Sequence, residues 1–439
     1  MNHVLRTLLS RSIYWNSFES ISYQLILCLH QAAIFYILSS QEYGMVGVLF
    51  STVYAIGSMA NLGLDTALGS WWAVALKGKK SFCTLVISQL IPQIIVAVIL
   101  AITIVYFYPV DSRIEYSLLF FLGALAVQES IKKSLKICMY LLFANHIVAP
   151  TEVLLITIYT AIVWLLYYWY GTLSLHTIFI PMIVTTTMSI LVYAYHLHSI
   201  YKDLSNEDTP ASISLREIAL IRASNYATQL THLIFSGNIL IPLFAHRFGL
   251  TIAGSLKFID TIAYSIGTIM RKVVGTTGQA LFAHTKSMEK KVQAALFASI
   301  TNQAYQIIYV LLIFFLINGT KVNHSTILNI GMGAAILYGL LILTENIFYV
   351  YEQFFVTHDR AYYSALFNGV SFLLTYALLY GANVPLSTLL IILVFIRIVV
   401  LSVLELVTRA AWGAKSNLRV QPLYGISALA ISLFVFFMW

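Results

Sequence analysis

The sequence predicts an all-α polytopic membrane protein. It reads as two six-helix bundles related by a pseudo-two-fold axis along the membrane normal, with a central cavity and one extra C-terminal transmembrane helix. Three observations lead there. Of 439 residues, 60% are hydrophobic and only 10% charged, whereas a soluble domain carries about 25% charged residues. The apolar residues fall into thirteen blocks, each near the roughly 20 residues that cross a bilayer. The basic residues gather in alternate connections between those blocks, which is how a chain sets its topology. The net charge of +8 is therefore a membrane signal, and nucleic acid is not an expected partner.

The blocks lie at 13–38, 43–66, 84–108, 116–143, 147–169, 177–200, 217–245, 250–280, 292–317, 326–351, 361–380, 386–408 and 421–438. Arg6 and Arg11 precede the first. Basic connections follow the second (76–80), sixth (202–217), eighth (286–291), tenth (358–360) and twelfth (409–419). The intervening connections are short and poor in cations, holding only Arg113, Arg247 and Lys321. All basic loops then share one side, which the positive-inside rule makes cytoplasmic together with the N-terminus. Met1 to Arg11 lacks the apolar core and cleavage site of a signal peptide, so the first span is expected to be retained.

The polar stretch "KDLSNEDTPASIS" divides the chain. The expected domains are an N-terminal bundle (1–201), a cytoplasmic linker (202–216), a C-terminal bundle (217–408) and a basic loop with the extra helix (409–439). A weak internal repeat supports the division. "EYGMVGVLFSTVYAIGSMANLGLDTAL" (42–68) and "RFGLTIAGSLKFIDTIAYSIGTIMRKVVGTTGQAL" (247–281) share an aromatic–Gly pair, a second Gly, a mid-helix Ile–Gly and a late Gly before Ala–Leu. Parallel repeats of this kind bring a binding cavity to their interface.

Charge within the spans is concentrated. The fourth carries Glu129, Lys132, Lys133 and Lys136 within two turns, with Glu129 at pairing distance from Lys132 or Lys133. Two readings fit these lysines. They snorkel to the cytoplasmic interface, or the helix runs on to about 143 and they line a cavity. The eighth span carries Lys257, Asp260, Arg271 and Lys272, the first two at intrahelical pairing distance. Glu345 lies late in the tenth, and Asp65 closes the second. Arg397 is eleven residues from either end of the twelfth. An arginine at that depth needs a partner or a wet cavity: interhelical pairing with Asp260 or Asp65 and ligand binding fit equally. In this tally cations outnumber carboxylates, as suits a phosphate or diphosphate. Asp65, Asp260 and Glu345 are the candidates for ion coupling.

No phosphate-binding loop followed by Lys–Ser/Thr is present, and no His/Cys cluster has metal-ligand spacing. Cys28, Cys83 and Cys138 have no paired spacing. No connection is long enough for an extramembrane catalytic domain. The chain is therefore expected to need no cofactor or metal and to be no enzyme.

The block "YILSSQEYGMVGVLFSTVYAIGSMANLGLDTAL" (36–68), its counterpart "LFAHRFGLTIAGSLKFIDTIAYSIGT" (243–268) and the six-plus-six layout resemble the polysaccharide-exporter branch of the multidrug/oligosaccharidyl-lipid/polysaccharide exporter (MOP) superfamily, which includes O-antigen flippases. The resemblance implies two bundles in an inverted V, in a bacterial cytoplasmic (inner) membrane. It implies movement of an undecaprenyl-diphosphate-linked oligosaccharide to the outer leaflet, coupled to an ion gradient. Lys132, Lys136, Lys257, Arg271 and Arg397 are the positions that match the family's basic cavity residues. The glycan polymerase and glycosyltransferases of the same pathway, and membrane lipids, are the implied partners. The alternative is a cation- or proton-coupled exporter of small molecules or drugs from the same superfamily. A thirteenth span departs from the family's usual twelve or fourteen.

Overall fold

The computed structural model describes residues 3–61, 78–107, 116–142, 144–204, 235–285, 330–357, 361–381 and 384–412, with single residues 223, 226, 230, 233, 293 and 297. Asp65 and the thirteenth predicted span lie outside the described residues, as does all of the ninth except 293 and 297. Eleven α-helices are described: α1 (His3–Ile37), α2 (Ser40–Ala60), α3 (Lys79–Phe107), α4 (Tyr116–Leu141), α5 (Asn145–Tyr170), α6 (Leu175–Asp203), α7 (Gly237–Phe248), α8 (Leu250–Thr285), α9 (Met332–Thr357), α10 (Ala361–Gly381) and α11 (Leu386–Trp412). Among the described residues there is no strand. Among the described residues six helices are long and apolar enough to cross a membrane: α1 from Tyr14, α2, α5, α6, α9 over Gly333–Tyr351 and α11 over Leu386–Thr408. The chain is a helical, multi-pass membrane protein.

Local signals start and stop these helices. Ser39 and Glu42 form a reciprocal cap on α2: the Ser39 amide donates to Glu42 Oε2 (3.0 Å) and the Glu42 amide to Ser39 Oγ (3.2 Å). Ser174 and Thr177 do the same for α6. Gly171, with φ of 69°, ends α5 in the left-handed region that an L side chain resists. The seventh predicted span, 217–245, is interrupted: a turn at Phe235 and Ser236 precedes α7, which starts afresh at Gly237.

The chain divides into two compact units. Unit 1 comprises Met1–His30 and Leu49–Leu230, and unit 2 comprises Gln31–Val48 and Thr231–Trp439. In unit 1, α4 packs between α3 and α6, and α5 packs on α6. In unit 2, α8 packs along α9, and α9 on α11. The tip formed by the end of α1 and the start of α2 belongs to unit 2: Phe35 stacks on Phe258 of α8 at 4.3 Å, and Tyr43 donates to Gln31 Oε1 at 3.2 Å.

Two glycines set the α2–α8 crossing. A Cβ on Gly254 would strike the Ser40 carbonyl oxygen and the Gly44 backbone, and a Cβ on Gly44 would strike the Leu250 carbonyl. Backbone atoms cannot swing aside, so Gly254→Ala should cost about 1–3 kcal/mol through overpacking. Thermal unfolding in detergent checks this, with Gly381→Ala, whose Cβ meets open space, as the silent control.

Arg247 has a structural position. Its guanidinium donates to the carbonyls of Leu378 (2.9 Å), Leu379 and Val384 (3.1 Å). It satisfies terminal carbonyls of α10, where a cation also complements the helix dipole.

Candidate functional site

The fourth helix puts Glu129, Lys132 and Lys136 on one face, three and four residues apart. Its other polar face, Ser130 and Ser134, is taken by Gln93 of α3: Gln93 Nε2 donates to the Ser130 carbonyl (2.9 Å) and hydroxyl (2.8 Å), and the Ser134 hydroxyl donates to Gln93 Oε1. The lysine face therefore turns to α1, α5 and α6, and each supplies a polar partner.

Lys136 Nζ lies 2.7 Å from Glu19 Oε1 of α1 and 3.3 Å from Glu152 Oε2 of α5. Lys132 Nζ is also 3.3 Å from Glu152 Oε2, and 3.8 Å from Glu129 Oε1. Hydroxyls complete the shell: Tyr140 donates to Glu19 Oε2 (2.7 Å), Tyr193 to Glu152 Oε1 (2.6 Å) and Thr186 to Glu129 Oε1 (2.9 Å). The Glu19 and Glu152 side chains are 2% and 4% exposed, and the two lysines 19% and 15%. Ions this deep persist only when paired and hydrogen-bonded. Among the described residues three carboxylates gather round two ammonium groups. Lys133, one position round the helix, has no partner among the described residues.

In unit 2, Arg397 is fully buried. Its Nε and Nη2 donate to the two oxygens of Glu345, the latter at 2.5 Å, and Nη1 donates to Asn368 Oδ1 at 2.7 Å. The rings of Phe235 and Phe348 lie 4.0 and 3.6 Å from its Cζ, one cation–π contact on each. Lys257 Nζ pairs with Asp260 Oδ2 at 3.0 Å. The Asp260 carboxylate sits against Gly237, where any Cβ would overlap it, so an acid meets the positive end of the α7 dipole. Tyr351 donates to Glu405 Oε2 at 2.5 Å.

These positions redraw the expectations. Lys132 and Lys136 are brought together, neither as bare cavity cations nor as snorkelling anchors: both join a buried ion network. Lys257 and Asp260 form the intrahelical pair their spacing predicts. Arg397 is paired with Glu345; Asp65 lies outside the described residues. Arg271 and Lys272 are on α8, with side chains outside the described residues. Among the described residues Glu19, Glu129 and Glu152 gather round Lys132 and Lys136 in unit 1, while in unit 2 Asp260 pairs with Lys257 and Glu345 with Arg397. The sequence reading missed Glu19, Glu152 and Glu405. Among the described residues no cluster of three or more His, Cys, Asp or Glu has metal-binding geometry.

No protein-family model and no curated protein matches the sequence. Solved structures do match. An inward-facing multidrug resistance MATE family transporter of the MOP superfamily superposes with a TM-score of 0.61 at 13% identity, over 92% of this chain and 95% of that one. An outward-facing one gives 0.61 at 14% identity, over 93% and 96%. The eukaryotic MATE transporter AtDTX14 gives 0.63 at 13% identity, over 95% and 98%. The fold is that of the MATE transporters of the MOP superfamily.

Proposed function

We propose that the chain is a secondary transporter working by alternating access, that its cargo is an undecaprenyl-diphosphate-linked oligosaccharide, and that the unit 1 network couples movement to protons. Transport is supported by the shared MATE fold, found in inward- and outward-facing structures. The cargo is supported by the sequence resemblance of 36–68 and 243–268 to oligosaccharide flippases. The network carries the mechanism: Lys132 and Lys136 both lie 3.3 Å from one carboxylate oxygen, Glu152 Oε2. A proton on Glu152 cancels the charge that both lysines share. The two ammonium groups then become a site for a diphosphate, whose several anionic oxygens suit paired cations. Loss of that proton on the far side restores the internal pairs and expels the headgroup.

Export of an organic cation is the second reading, favoured by the three carboxylates, Glu19, Glu129 and Glu152, that gather among the described residues of unit 1. Asp65, Asp260 and Glu345 remain its coupling candidates.

Reconstituted liposomes separate the two. A polyprenyl-diphosphate oligosaccharide should cross to the opposite leaflet with wild-type protein. Lys132→Met/Lys136→Met/Glu152→Gln, which limits the charge imbalance, should lose about 100-fold or more of that rate, since each charge-assisted bond contributes about 1.5–3 kcal/mol. Glu152→Gln alone should still flip the lipid but no longer respond to a pH gradient. Cation export by the wild type, with no lipid movement, would select the second reading.

A further inference from the structure

Helices α4, α5 and α6 pack pairwise in unit 1, and α9, α10 and α11 do so in unit 2. The two sets carry polar residues in matching registers. Glu129 and Glu345 stand 13 residues after the first residue of α4 and of α9. Glu152 and Asn368 stand 7 after the first of α5 and of α10, and Thr186 and Arg397 stand 11 after the first of α6 and of α11. Contacts follow the register: Thr186 donates to Glu129 at 2.9 Å, and Arg397 donates to Glu345 at 2.5 Å and to Asn368 at 2.7 Å. An acid on the first helix that accepts from the third is common to both units. The remainder differs. Where unit 1 has Lys132, Glu152 and Tyr193, unit 2 has Phe348, Asn368 and Leu404 at the same distances from their helix starts. All three of the latter are buried, so this three-helix arrangement packs with neither the second carboxylate nor the tyrosine. In unit 1 those two are bonded to each other: Tyr193 donates to Glu152 Oε1 at 2.6 Å, while Lys132 and Lys136 Nζ each lie 3.3 Å from Oε2. One carboxylate oxygen meets a neutral donor and the other meets two cations.

We infer that Tyr193 is a positioning residue for Glu152: it fixes the orientation in which one oxygen serves both lysines, and it sets the proton concentration at which that oxygen releases them. This role rests on the proton-coupled reading above and names what tunes the coupling. Ammonium groups only donate, so a proton arriving at Glu152 belongs on Oε1, away from the lysines. There the Tyr193 hydroxyl must turn from donor to acceptor. The carboxylate gains one proton, and no bond between heavy atoms changes. Tyr193 sits in a buried cluster with Phe82, Leu135, Cys138, Met139, Val148 and Leu197, in which the thiol is at best a weak acceptor. The turned hydroxyl therefore has little to donate to, and the tyrosine favours the charged carboxylate. The other titratable groups near Glu152 are Lys132, Lys136 and Tyr140 of α4 and Tyr23 of α1, while Glu19 and Glu129 share its lysines. Of the tyrosines, Tyr193 is the one hydrogen-bonded to Glu152, and Tyr140 bonds to Glu19.

The test is an infrared titration of the full-length protein in liposomes, with no cargo present. The carboxylic-acid band that Glu152→Gln removes reports the protonation of Glu152. Tyr193→Phe keeps the ring and deletes the hydroxyl, so the midpoint of that band should rise by about one to two pH units, the worth of one charge-assisted bond. Incorporating 3,5-difluorotyrosine at position 193, a stronger donor in the same place, should lower it. A role in packing alone predicts no movement in either direction. An unmoved midpoint in both proteins would overturn the assignment. Movement of a labelled polyprenyl-diphosphate sugar across the same liposomes, followed against pH, should shift its midpoint with the band in Tyr193→Phe. In Glu152→Gln/Tyr193→Phe it should match Glu152→Gln alone, because the tyrosine acts through the acid. A further change on adding Tyr193→Phe to Glu152→Gln would overturn that route. A band that moves as expected, beside a wild type that carries no lipid, would uphold the positioning role and remove the proposed cargo.

Discussion

Arg397→Met should destabilise unit 2 by about 3–5 kcal/mol, the usual cost of removing one partner from a buried ion pair. The guanidinium is fully enclosed and bonds both oxygens of Glu345 as well as Asn368. Methionine replaces much of the volume between Phe235 and Phe348, so packing loss is minor. The Glu345 carboxylate, which loses two charge-assisted bonds in a low-dielectric interior, carries the cost. The double variant Arg397→Met/Glu345→Leu should recover most of the loss, because a buried pair and its apolar replacement often differ little. Chemical unfolding in detergent, followed through the double-mutant cycle, measures the coupling. A single variant as stable as its parent would show that Glu345 does not depend on the arginine.

Lys136→Met should have a comparable effect in unit 1, with a different distribution. Lys136 is the residue that bridges Glu19 of α1 to Glu152 of α5. Without it, Glu19 keeps the Tyr140 hydroxyl but loses its ammonium partner, and Lys132 alone faces Glu152 and Glu129. The expected loss is again about 3–5 kcal/mol. Lys133→Met, on the adjacent face with no partner among the described residues, should change stability little. Adding Glu19→Gln to Lys136→Met should restore most of the loss, since an amide needs no countercharge. If Lys133→Met proved the more damaging of the two, the pairing assigned to α4 would be wrong.

Hydrophobic block length and loop charge made the fold legible, because both act over tens of residues. Each described helix lies on a predicted span. The exception in detail is the seventh, where the turn at Phe235–Ser236 splits a continuous apolar run. The Ser–Gly pair at 236–237 was the available signal, and its cause is tertiary: Gly237 must clear the Asp260 carboxylate. The site was half legible. Four charges crowded into one helix announced α4, and the three-residue spacing announced Lys257–Asp260. Glu19 and Glu152 were silent because one acid in a long apolar helix barely disturbs its hydropathy. They lie 117 and 16 residues distant in sequence from their shared partner Lys136 and cannot be found by local spacing. For Arg397 pairing and ligand binding fitted the sequence equally, and the acid it meets, Glu345, depended on how α9 meets α11. A surplus of lysines on α4 beside single acids on α1 and α5 was the signal that would have joined them.

The assignment of residues 31–48 to unit 2 bears on how the protein is made. Phe35 and Gly44 leave the ribosome about 200 residues before Phe258 and Gly254, the surfaces they close on. Synthesis from the N-terminus completes one domain before the next where domains are contiguous, but here an early hairpin tip has to wait for late sequence. A second half expressed from residue 231 onward would lack a piece of its own interior. Supplying the first half in the same membrane should rescue it, as a split protein reassembles around a shared core.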